Sequence, residues 1–376
     1  MTKLLLPNKT IGIIGGGQLG QMMALSAKEM GFKVGVLDPN EDSPASQVAD
    51  WSITASYDDQ KSIKLLAEQS DIVTYEFENV DASSLEKIQH KVLIPQGLDI
   101  LKISQNRQFE KEFLNRLKLP IARYRIIETE DDLKKGIDEL GYPCVLKTCL
   151  GGYDGKGQVV LRTSENISES LLLINKGNCV LESWVSFEKE ISVIVSGTQD
   201  NQYQVFPISE NIHRHNILYQ SIVPGRVSKG CQNKAQKMAL SIAKQLKIRG
   251  TVTIEMFVTF DESLIINEIA PRPHNSGHYS IEACNISQFD AHIRGICGWP
   301  LPNIYLHQEA VMINLLGEEV TDAQVAILEQ PNWFFHFYGK KEIKKDRKMG
   351  HITILSNSLK GTLKEISESK IWNQRG

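Results

Sequence analysis

The chain has 376 residues, of which 41% are hydrophobic and 23% are charged, so it is long enough for roughly two or three domains and too apolar to be disordered. Its 42 basic and 45 acidic residues leave a net charge of −3, which excludes a general electrostatic surface for nucleic acid. No apolar run approaches the roughly 20 residues that span a membrane, and the first residues lack the pattern of a signal peptide. Six dispersed cysteines indicate free thiols, so we expect a cytoplasmic protein with a small-molecule partner.

The first predicted unit is a strand, a glycine turn and a helix. An apolar run at 11–14 precedes Gly15-Gly16-Gly17-Gln18-Leu19-Gly20, after which apolar residues recur at helical spacing up to Gly31. This loop fits the G-x-G-x-x-G dinucleotide fingerprint, with Asp38 at the end of the next strand as the ribose partner. A phosphate site formed by backbone amides and a purely structural turn remain open as alternatives.

Two patterns of secondary structure divide the chain. Strands and helices alternate up to about residue 98, which predicts a parallel sheet. From Arg123 onward strands are joined mostly by turns, which indicates an antiparallel sheet, and a helix is expected at 234–246. Strands near 310–315, 333–338 and 351–355 indicate a small β-rich region at the end of the chain.

A glycine-rich segment, residues 151–157, follows Lys147 and leads into a predicted strand at 158–161. It lacks the Walker spacing and runs into a strand rather than a helix, so a P-loop is excluded. A mobile hairpin carrying Tyr153 and Lys156 could close over a polyphosphate and exclude water. A flexible surface hairpin is the alternative.

Glu255 and Glu268 lie in two apolar strands, 251–258 and 264–269, which are joined by a turn-prone segment. If the strands pair as a hairpin, the carboxylates lie near each other across the ladder. Two like charges there require a counter-ion, and magnesium is the natural partner for oxygen ligands. The alternative is one exposed carboxylate on the solvent-facing side of each strand.

Two further segments could bind anions. The loop 270–278 follows Glu268 and carries an arginine and two histidines between prolines and small polar residues. A basic cluster follows the strand at 333–338; most of it should be a solvated surface, but one or two members could reach a substrate phosphate. Its members are Lys340, Lys341, Lys344, Lys345, Arg347 and Lys348.

In this order, the motifs resemble the N5-carboxyaminoimidazole ribonucleotide synthase family of the ATP-grasp superfamily. The resemblance covers essentially the whole chain and rests on residues 15–20, 74–80 (TYEFENV), 152–158, 267–278, 338–340 and 347–351. It implies ATP-dependent carboxylation of 5-aminoimidazole ribonucleotide with bicarbonate in purine biosynthesis, giving ADP and phosphate through carboxyphosphate. It also implies a homodimer.

The resemblance implies an α/β and α+β architecture of three parts. These are a Rossmann-like domain over 1–98, a two-part ATP-grasp core with antiparallel sheets over 99–300, and a small β-rich domain over 301–376. A lid subdomain would cover about 122–186 of the core. ATP would lie between the two antiparallel sheets.

The same resemblance implies the site residues. The expected ATP contacts are Arg107, Lys147, Gly152, Tyr153, Asp154, Gly155, Lys156, Gly157, Gln158, Glu182, Ser183, Trp184, Val185, Glu190, His213, Asn267 and Glu268. Magnesium would bind to Glu255 and Glu268. The expected substrate contacts are Tyr153, Asp154, Lys156, Arg272, His274, Lys340 and Arg347. The expected catalytic residues are Asp154, Arg272, His274 and Lys340, with either Asp154 or His274 as the base.

Three positions depart from the family pattern. Ala270 stands where many ATP-grasp enzymes have an asparagine ligand for the metal, and Lys156 replaces an arginine of some relatives. Arg214-His215-Asn216 lacks the glycine expected before the following Ile-Leu. The alternative functions are another ATP-grasp ligase, an NAD-dependent oxidoreductase built on the first glycine loop, and a non-catalytic nucleotide-binding protein.

Overall fold

The computed structural model describes residues 4–152 and 156–372. The described strands form one parallel sheet and two antiparallel sheets, which follow one another along the chain. The predicted mixed architecture is therefore confirmed. Among these residues, no helix is both long and apolar enough to cross a membrane.

The parallel sheet and its helices occupy the first part of the chain. Its elements, with the helices up to the next sheet, are β1 (Thr10–Ile14), α1 (Gln18–Glu29), β2 (Lys33–Asp38), β3 (Trp51–Thr54), α2 (Gln60–Glu68), β4 (Ile72–Tyr75), α3 (Ala82–Ile88), α4 (Asp99–Gln105) and α5 (Arg107–Arg116). The strand order is β3-β2-β1-β4. Helices cover both faces, which is why every residue of β4 is buried. The sequence expectations above do not include β3, a strand of four residues that alternate between half-buried and exposed.

The small antiparallel sheet has the strand order β5-β8-β6-β7. Its elements are β5 (Tyr124–Ile127), α6 (Glu130–Leu140), β6 (Cys144–Thr148), β7 (Gln158–Leu161), α7 (Ile167–Ile174) and β8 (Cys179–Ser183). Helix α6 begins with a capping box in which Thr129 and Asp132 bond each other's backbone. Its buried residues Leu133, Ile137 and Leu140 recur at helical spacing and pack in the core of this sheet.

The large antiparallel sheet contains the remaining strands. Its elements are β9 (Lys189–Gly197), β10 (Tyr203–Val205), β11 (Ser209–Arg214), β12 (Ile217–Val223), α8 (Lys229–Gln245), β13 (Gly250–Val258), β14 (Leu264–Ala270), α9 (Ser280–Ala283), α10 (Gln288–Cys297), β15 (Glu309–Leu316), α11 (Val320–Ala326), β16 (Trp333–Phe337), β17 (Lys348–Ser356) and α12 (Leu359–Glu368). The order is β14-β13-β9-β11-β12-β15-β17-β16, with β10 beside β9. Because β15 pairs with β12, the last three strands extend the sheet that carries the β13–β14 hairpin.

Two local features of this sheet differ from expectation. Helix α8 begins before the predicted 234–246, because the Ser228 side chain caps it by accepting the N–H of Cys231. Between β11 and β12, His215 and Asn216 have φ angles of 50° and 62°. These two residues form the left-handed hairpin turn without the glycine that the family pattern supplies, and asparagine tolerates that conformation.

Candidate active site

Glu255 of β13 lies directly opposite Glu268 of β14, which confirms the predicted pairing. A β-bulge shifts the register immediately after Glu255. Both residues line the main cavity, and the Glu255 side chain is only 13% exposed. The interpretation of Glu255 as a solvent-facing carboxylate is therefore wrong.

The facing carboxylates suit a divalent cation. Burial and the charge of Glu268 raise the pKa of Glu255 to about 8. His274 Nε2 lies 3.5 Å from Glu255 Oε1, and the guanidinium atom Arg107 Nη1 lies 3.7 Å from Glu268 Oε2. Among the described residues, no group of three or more His, Cys, Asp or Glu side chains is placed to hold a metal. Magnesium is commonly held by one or two carboxylates together with phosphates and water, so this donor pair fits magnesium that binds with a nucleotide.

Glu182 is the centre of a buried charge network beside this hairpin. Lys147 Nζ lies 3.2 Å from Glu182 Oε2, and Lys111 Nζ lies 3.4 Å from Glu182 Oε1. Burial alone would raise the pKa of Glu182, but Lys111, Lys147 and Arg107 outweigh it and hold this pKa at about 2. Three cations surround this buried carboxylate, and such basic groups beside a cavity suit bound phosphate groups.

The segment after β8 forms another part of the cavity wall. Ser183, Trp184 and Val185 all line the cavity. Phe187 follows them and stacks on Phe257 with ring centroids 4.4 Å apart. Backbone polar groups beside an aromatic wall suit the edge and face of a purine ring, in line with the ATP contacts expected for Ser183, Trp184 and Val185.

Glu190 and His213 face each other on neighbouring strands β9 and β11. His213 Nδ1 lies 2.5 Å from Glu190 Oε2. Burial would lower the pKa of His213, but this contact raises it overall. Both side chains line the cavity, as does Asn267, so the structure brings three of the expected ATP contacts to the same site as the hairpin.

The flap, residues 151–157, connects β6 to β7. It begins and ends beside Lys147, because Lys147 pairs with Gln158 across these strands. Gly152, Lys156 and Gln158 line the cavity. Three flap residues with predicted contacts lie outside the described residues, namely Tyr153, Asp154 and Gly155.

Arg272 and Glu78 form a bidentate ion pair in the cavity wall. Arg272 Nε lies 2.7 Å from Glu78 Oε2, and Nη2 lies 3.2 Å from Oε1. Burial would raise the pKa of Glu78, but the Arg272 guanidinium lowers it below its usual range. The pair joins the segment after β4 to the loop after β14.

His274 lies two residues after Arg272 in the loop after β14, and Gln288 fixes its backbone. Gln288 accepts the backbone N–H of His274 at 2.9 Å and donates to its carbonyl at 2.7 Å. The N–H of Ser276 donates to His274 Nδ1 at 3.3 Å, so the ring hydrogen lies on Nε2, toward Glu255. Burial, and next the charge of Arg272, keep the pKa of His274 well below its usual range, so the ring is neutral.

The first glycine loop is occupied by side chains of the protein itself. Glu76 accepts the N–H of Gly17 at 2.6 Å and also that of Gly20, and Asp38 accepts the N–H of Gly16 at 2.7 Å. Asp38 is further bonded by Tyr57 Oη at 2.6 Å. These three amides already have acceptors within the protein, which argues against a pyrophosphate bound at them.

Three of the six residues of the basic cluster, Lys341, Lys344 and Lys345, are exposed, and the other three are half-buried, so the exposed part is smaller than predicted. Lys341 and Lys344 are exposed and pair with nearby acidic residues. Lys340 is different, because its Nζ donates to Gln18 Oε1 at 2.9 Å and to the carbonyl of Lys348 at 2.7 Å. Burial, and next the charge of Arg347, lower the pKa of Lys340 to about 8. Gln18 and Lys348 line the cavity, so Lys340 stands immediately behind its wall.

One cavity of about 720 Å³ joins these groups. Several of its polar lining residues are absent from the predicted site, among them Gln18, Glu78 and Glu110. Glu110 accepts the N–H of Ile269 at 2.6 Å, and burial raises its pKa to about 7. The position of Glu78 in the sequence could have predicted a role in the site. It follows the buried parallel strand β4, and parallel sheets bind ligands at the carboxyl ends of their strands.

Known proteins match the chain along its length. The ATP-grasp domain family matches residues 112–289, the ribonucleotide synthetase preATP-grasp domain family matches 8–105, and the phosphoribosylaminoimidazole carboxylase C-terminal domain family matches 310–365. The fold, the cation-rich cavity and these matches define an enzyme of the ATP-grasp class.

Comparison with individual relatives identifies the family within the ATP-grasp class. The N5-carboxyaminoimidazole ribonucleotide synthase of Bacillus subtilis (strain 168) is 48% identical over 375 residues, covering 99% of this chain and 98% of the relative. A solved ADP complex described as N5-carboxyaminoimidazole ribonucleotide synthetase has a TM-score of 0.97 at 49% identity and covers 100% of both chains. A structure from Aspergillus clavatus in complex with ADP and 5-aminoimidazole ribonucleotide has a TM-score of 0.88 at 33% identity and covers 96% of each chain. The chain belongs to the N5-carboxyaminoimidazole ribonucleotide synthase family.

Proposed function

We propose that this chain carboxylates 5-aminoimidazole ribonucleotide with bicarbonate and ATP, releasing ADP, phosphate and N5-carboxyaminoimidazole ribonucleotide for purine biosynthesis. The observation that carries the proposal is the shared cavity. It joins the Lys147–Glu182 network and the Glu255–Glu268 hairpin to the Arg272–Glu78 pair. A nucleotide and a second anionic substrate can therefore meet in one chamber, which a ligase that couples two substrates requires.

The chemistry explains why ATP is needed. Bicarbonate is a poor electrophile because its carbon is resonance-stabilised and its leaving group would be hydroxide. Transfer of the γ-phosphoryl group of ATP to a bicarbonate oxygen gives ADP and carboxyphosphate, whose leaving group is phosphate. The exocyclic amine of the imidazole then bonds to the carboxyl carbon, phosphate departs, and one amine proton is lost to a base.

Positioning and charge neutralisation are the work of the nucleotide side of the site. Lys147 and Arg107 would hold the phosphates, while Glu182 keeps Lys147 in place through their 3.2 Å contact. Magnesium bound by Glu255 and Glu268 would neutralise phosphate charge during transfer. The flap would close over the nucleotide and exclude water, which would otherwise hydrolyse carboxyphosphate.

On the ribonucleotide side, Arg272 would contact the ribonucleotide and bicarbonate, and Lys340 and Arg347 would face the substrate phosphate. Asp154 is the proposed base. The hydrogen on His274 Nε2 points toward Glu255, so in this tautomer His274 orients that carboxylate and offers no lone pair there. That geometry supports Asp154 over His274.

The test measures ADP release with ATP and magnesium while 5-aminoimidazole ribonucleotide and bicarbonate are omitted in turn. We expect rapid ADP release only with both present, and carbon-13 bicarbonate should appear in a carbamate signal. ADP release indifferent to the imidazole would indicate another acceptor and a different ATP-grasp ligase. No release under any condition would indicate a nucleotide-binding protein without catalysis.

Asp154→Asn tests the assignment of the base. It should reduce carboxylation strongly while ADP binding stays nearly intact, and unchanged turnover would remove Asp154 from the mechanism. A cytoplasmic location and a homodimer complete the proposal. Family membership supports both, and light scattering of the purified enzyme tests the homodimer.

A further inference from the structure

A buried hydrogen-bond chain runs from the large antiparallel sheet to the parallel sheet and back. The N–H of Thr251 lies 3.1 Å from His292 Nδ1, and His292 Nε2 lies 3.0 Å from Thr74 Oγ1. Thr74 Oγ1 lies 2.6 Å from Gln96 Oε1, and Gln96 Nε2 contacts the carbonyl oxygen of Pro271. The three side chains that form this hydrogen-bond chain are inaccessible to solvent, since Thr74 and His292 are 0% exposed and Gln96 is 4% exposed.

Backbone groups at both ends fix the direction of every bond in this chain. The Thr251 N–H can only donate, so His292 Nδ1 accepts and the ring hydrogen lies on Nε2. That hydrogen donates to Thr74 Oγ1, whose own hydrogen donates to Gln96 Oε1. Gln96 Nε2 then donates to the Pro271 carbonyl, which can only accept. Burial lowers the pKa of His292 to about 3, so the chain is uncharged.

The orientation of the Gln96 amide has independent support. The backbone N–H of Tyr75 lies 3.3 Å from Gln96 Oε1 and can only donate. The oxygen therefore faces β4, and the amide nitrogen faces the loop after β14. Exchanging the two would place donor against donor at β4 and acceptor against acceptor at Pro271.

The hydrogen-bond chain ends at the carbonyl of Pro271, one residue before Arg272. Arg272 pairs with Glu78, which lies on the segment that continues β4 beyond Thr74. The same two segments are thus tied twice, by a charged pair in the cavity wall and by the uncharged chain behind it. An anion that enters the cavity can compete with Glu78 for Arg272. The hydrogen-bond chain carries no charge, so the same anion interacts with it only weakly.

We propose that Gln96, Thr74 and His292 are positioning residues, which fix the Arg272 loop against the parallel sheet and set the affinity for the ribonucleotide but not for ATP. The inference rests on the proposed function, because it concerns the second substrate of that reaction. None of the three side chains lines the described cavity wall, so they act through the loop.

The test compares Thr74→Val, which keeps the shape but removes the hydroxyl, with Thr74→Ser, which keeps the hydroxyl. We expect Thr74→Val and Gln96→Met to raise KM for 5-aminoimidazole ribonucleotide by about five- to tenfold, because buried groups lose their partners and the loop is released. KM for ATP and the Kd for ADP should change by less than about twofold, and Thr74→Ser should restore the wild-type KM.

Equal weakening of both substrates, or a lower Tm with an unchanged KM for the ribonucleotide, would overturn the proposal. A second measurement needs no variant to fold: nitrogen-15 NMR of the wild-type enzyme should show His292 as the neutral tautomer with hydrogen on Nε2, and the other tautomer would break the chain. If the wild-type enzyme releases ADP without needing the imidazole, the proposed function fails instead. The two failures are therefore distinguishable.

Discussion

Glu78 and Arg272 are 194 positions apart in the chain, yet they meet in a bidentate ion pair with contacts of 2.7 Å and 3.2 Å. One belongs to the segment after the last strand of the parallel sheet, and the other to the loop after the carboxylate hairpin. The pair therefore connects the two parts of the chain that build the cavity wall.

Arg272→Lys should raise KM for 5-aminoimidazole ribonucleotide by about tenfold, because lysine keeps the charge but loses the two-point geometry. The Kd for ADP should hardly change. Arg226→Lys is the matched control, since Arg226 makes a similar two-point contact with Glu210 outside the cavity lining. Equal losses in both variants would show a general effect on folding rather than on the substrate.

Glu255→Gln and Glu268→Gln should each lower ADP release by about 100-fold or more and weaken the dependence on magnesium, because one of two cation ligands is lost. A magnesium titration of initial rates measures both effects. Glu188→Gln changes the net charge equally at an exposed position and should leave the titration unchanged. Wild-type magnesium dependence in both hairpin variants would disprove the metal site.

Lys340 should make substrate affinity depend on pH. Its pKa of about 8 is lower than the usual value, so the side chain is charged below pH 8 and loses its charge as pH rises through 8. KM for the ribonucleotide should therefore increase by about tenfold between pH 7 and pH 9. Lys340→Arg stays charged over this range and should flatten the profile. An equally steep profile in that variant would assign the titration to another group.

Lys111→Met should lower the free energy of unfolding by about 3 kcal/mol or more, because removing one partner leaves Glu182 with less compensation in the interior. Lys111 is 1% exposed, so water cannot replace the lost contact. Urea unfolding measures the change. Lys134→Met removes a solvent-exposed pair with Glu130 and should leave the free energy of unfolding nearly unchanged. Similar costs for the two variants would contradict this account of the network.

The hairpin was predictable because its information is local. Glu255 and Glu268 stand in adjacent apolar strands joined by a short turn, so register follows from the alternation of side chains. Strands β11 and β12 gave no such signal, because polar residues are buried within them. Asn211 and Ser221 satisfy each other at 3.0 Å, and Asn211 also donates to Ser192 at 2.5 Å, so a strand interior resembles a loop in sequence.

The rest of the site depends on contacts between distant parts of the chain. Nothing near Gly17 shows that the carboxyl group of Glu76 would accept its N–H, and nothing near Gln96 points to Pro271. The glycine loop therefore shares the spacing of a dinucleotide pattern, although three of its amides donate to carboxylates of the protein itself. Only the family resemblance, which spans the whole chain, gave the correct class.

The Glu76 side chain that fills the glycine loop also holds the conformation of this loop without a bound ligand. Because Gly17 and Gly20 already have an acceptor within the protein, the start of helix α1 needs no ligand to order it, and Gln18 already contacts Lys340. A substrate that binds therefore does not have to order the glycine loop and Gln18, which would cost conformational entropy. Its binding free energy can then position the reacting groups instead.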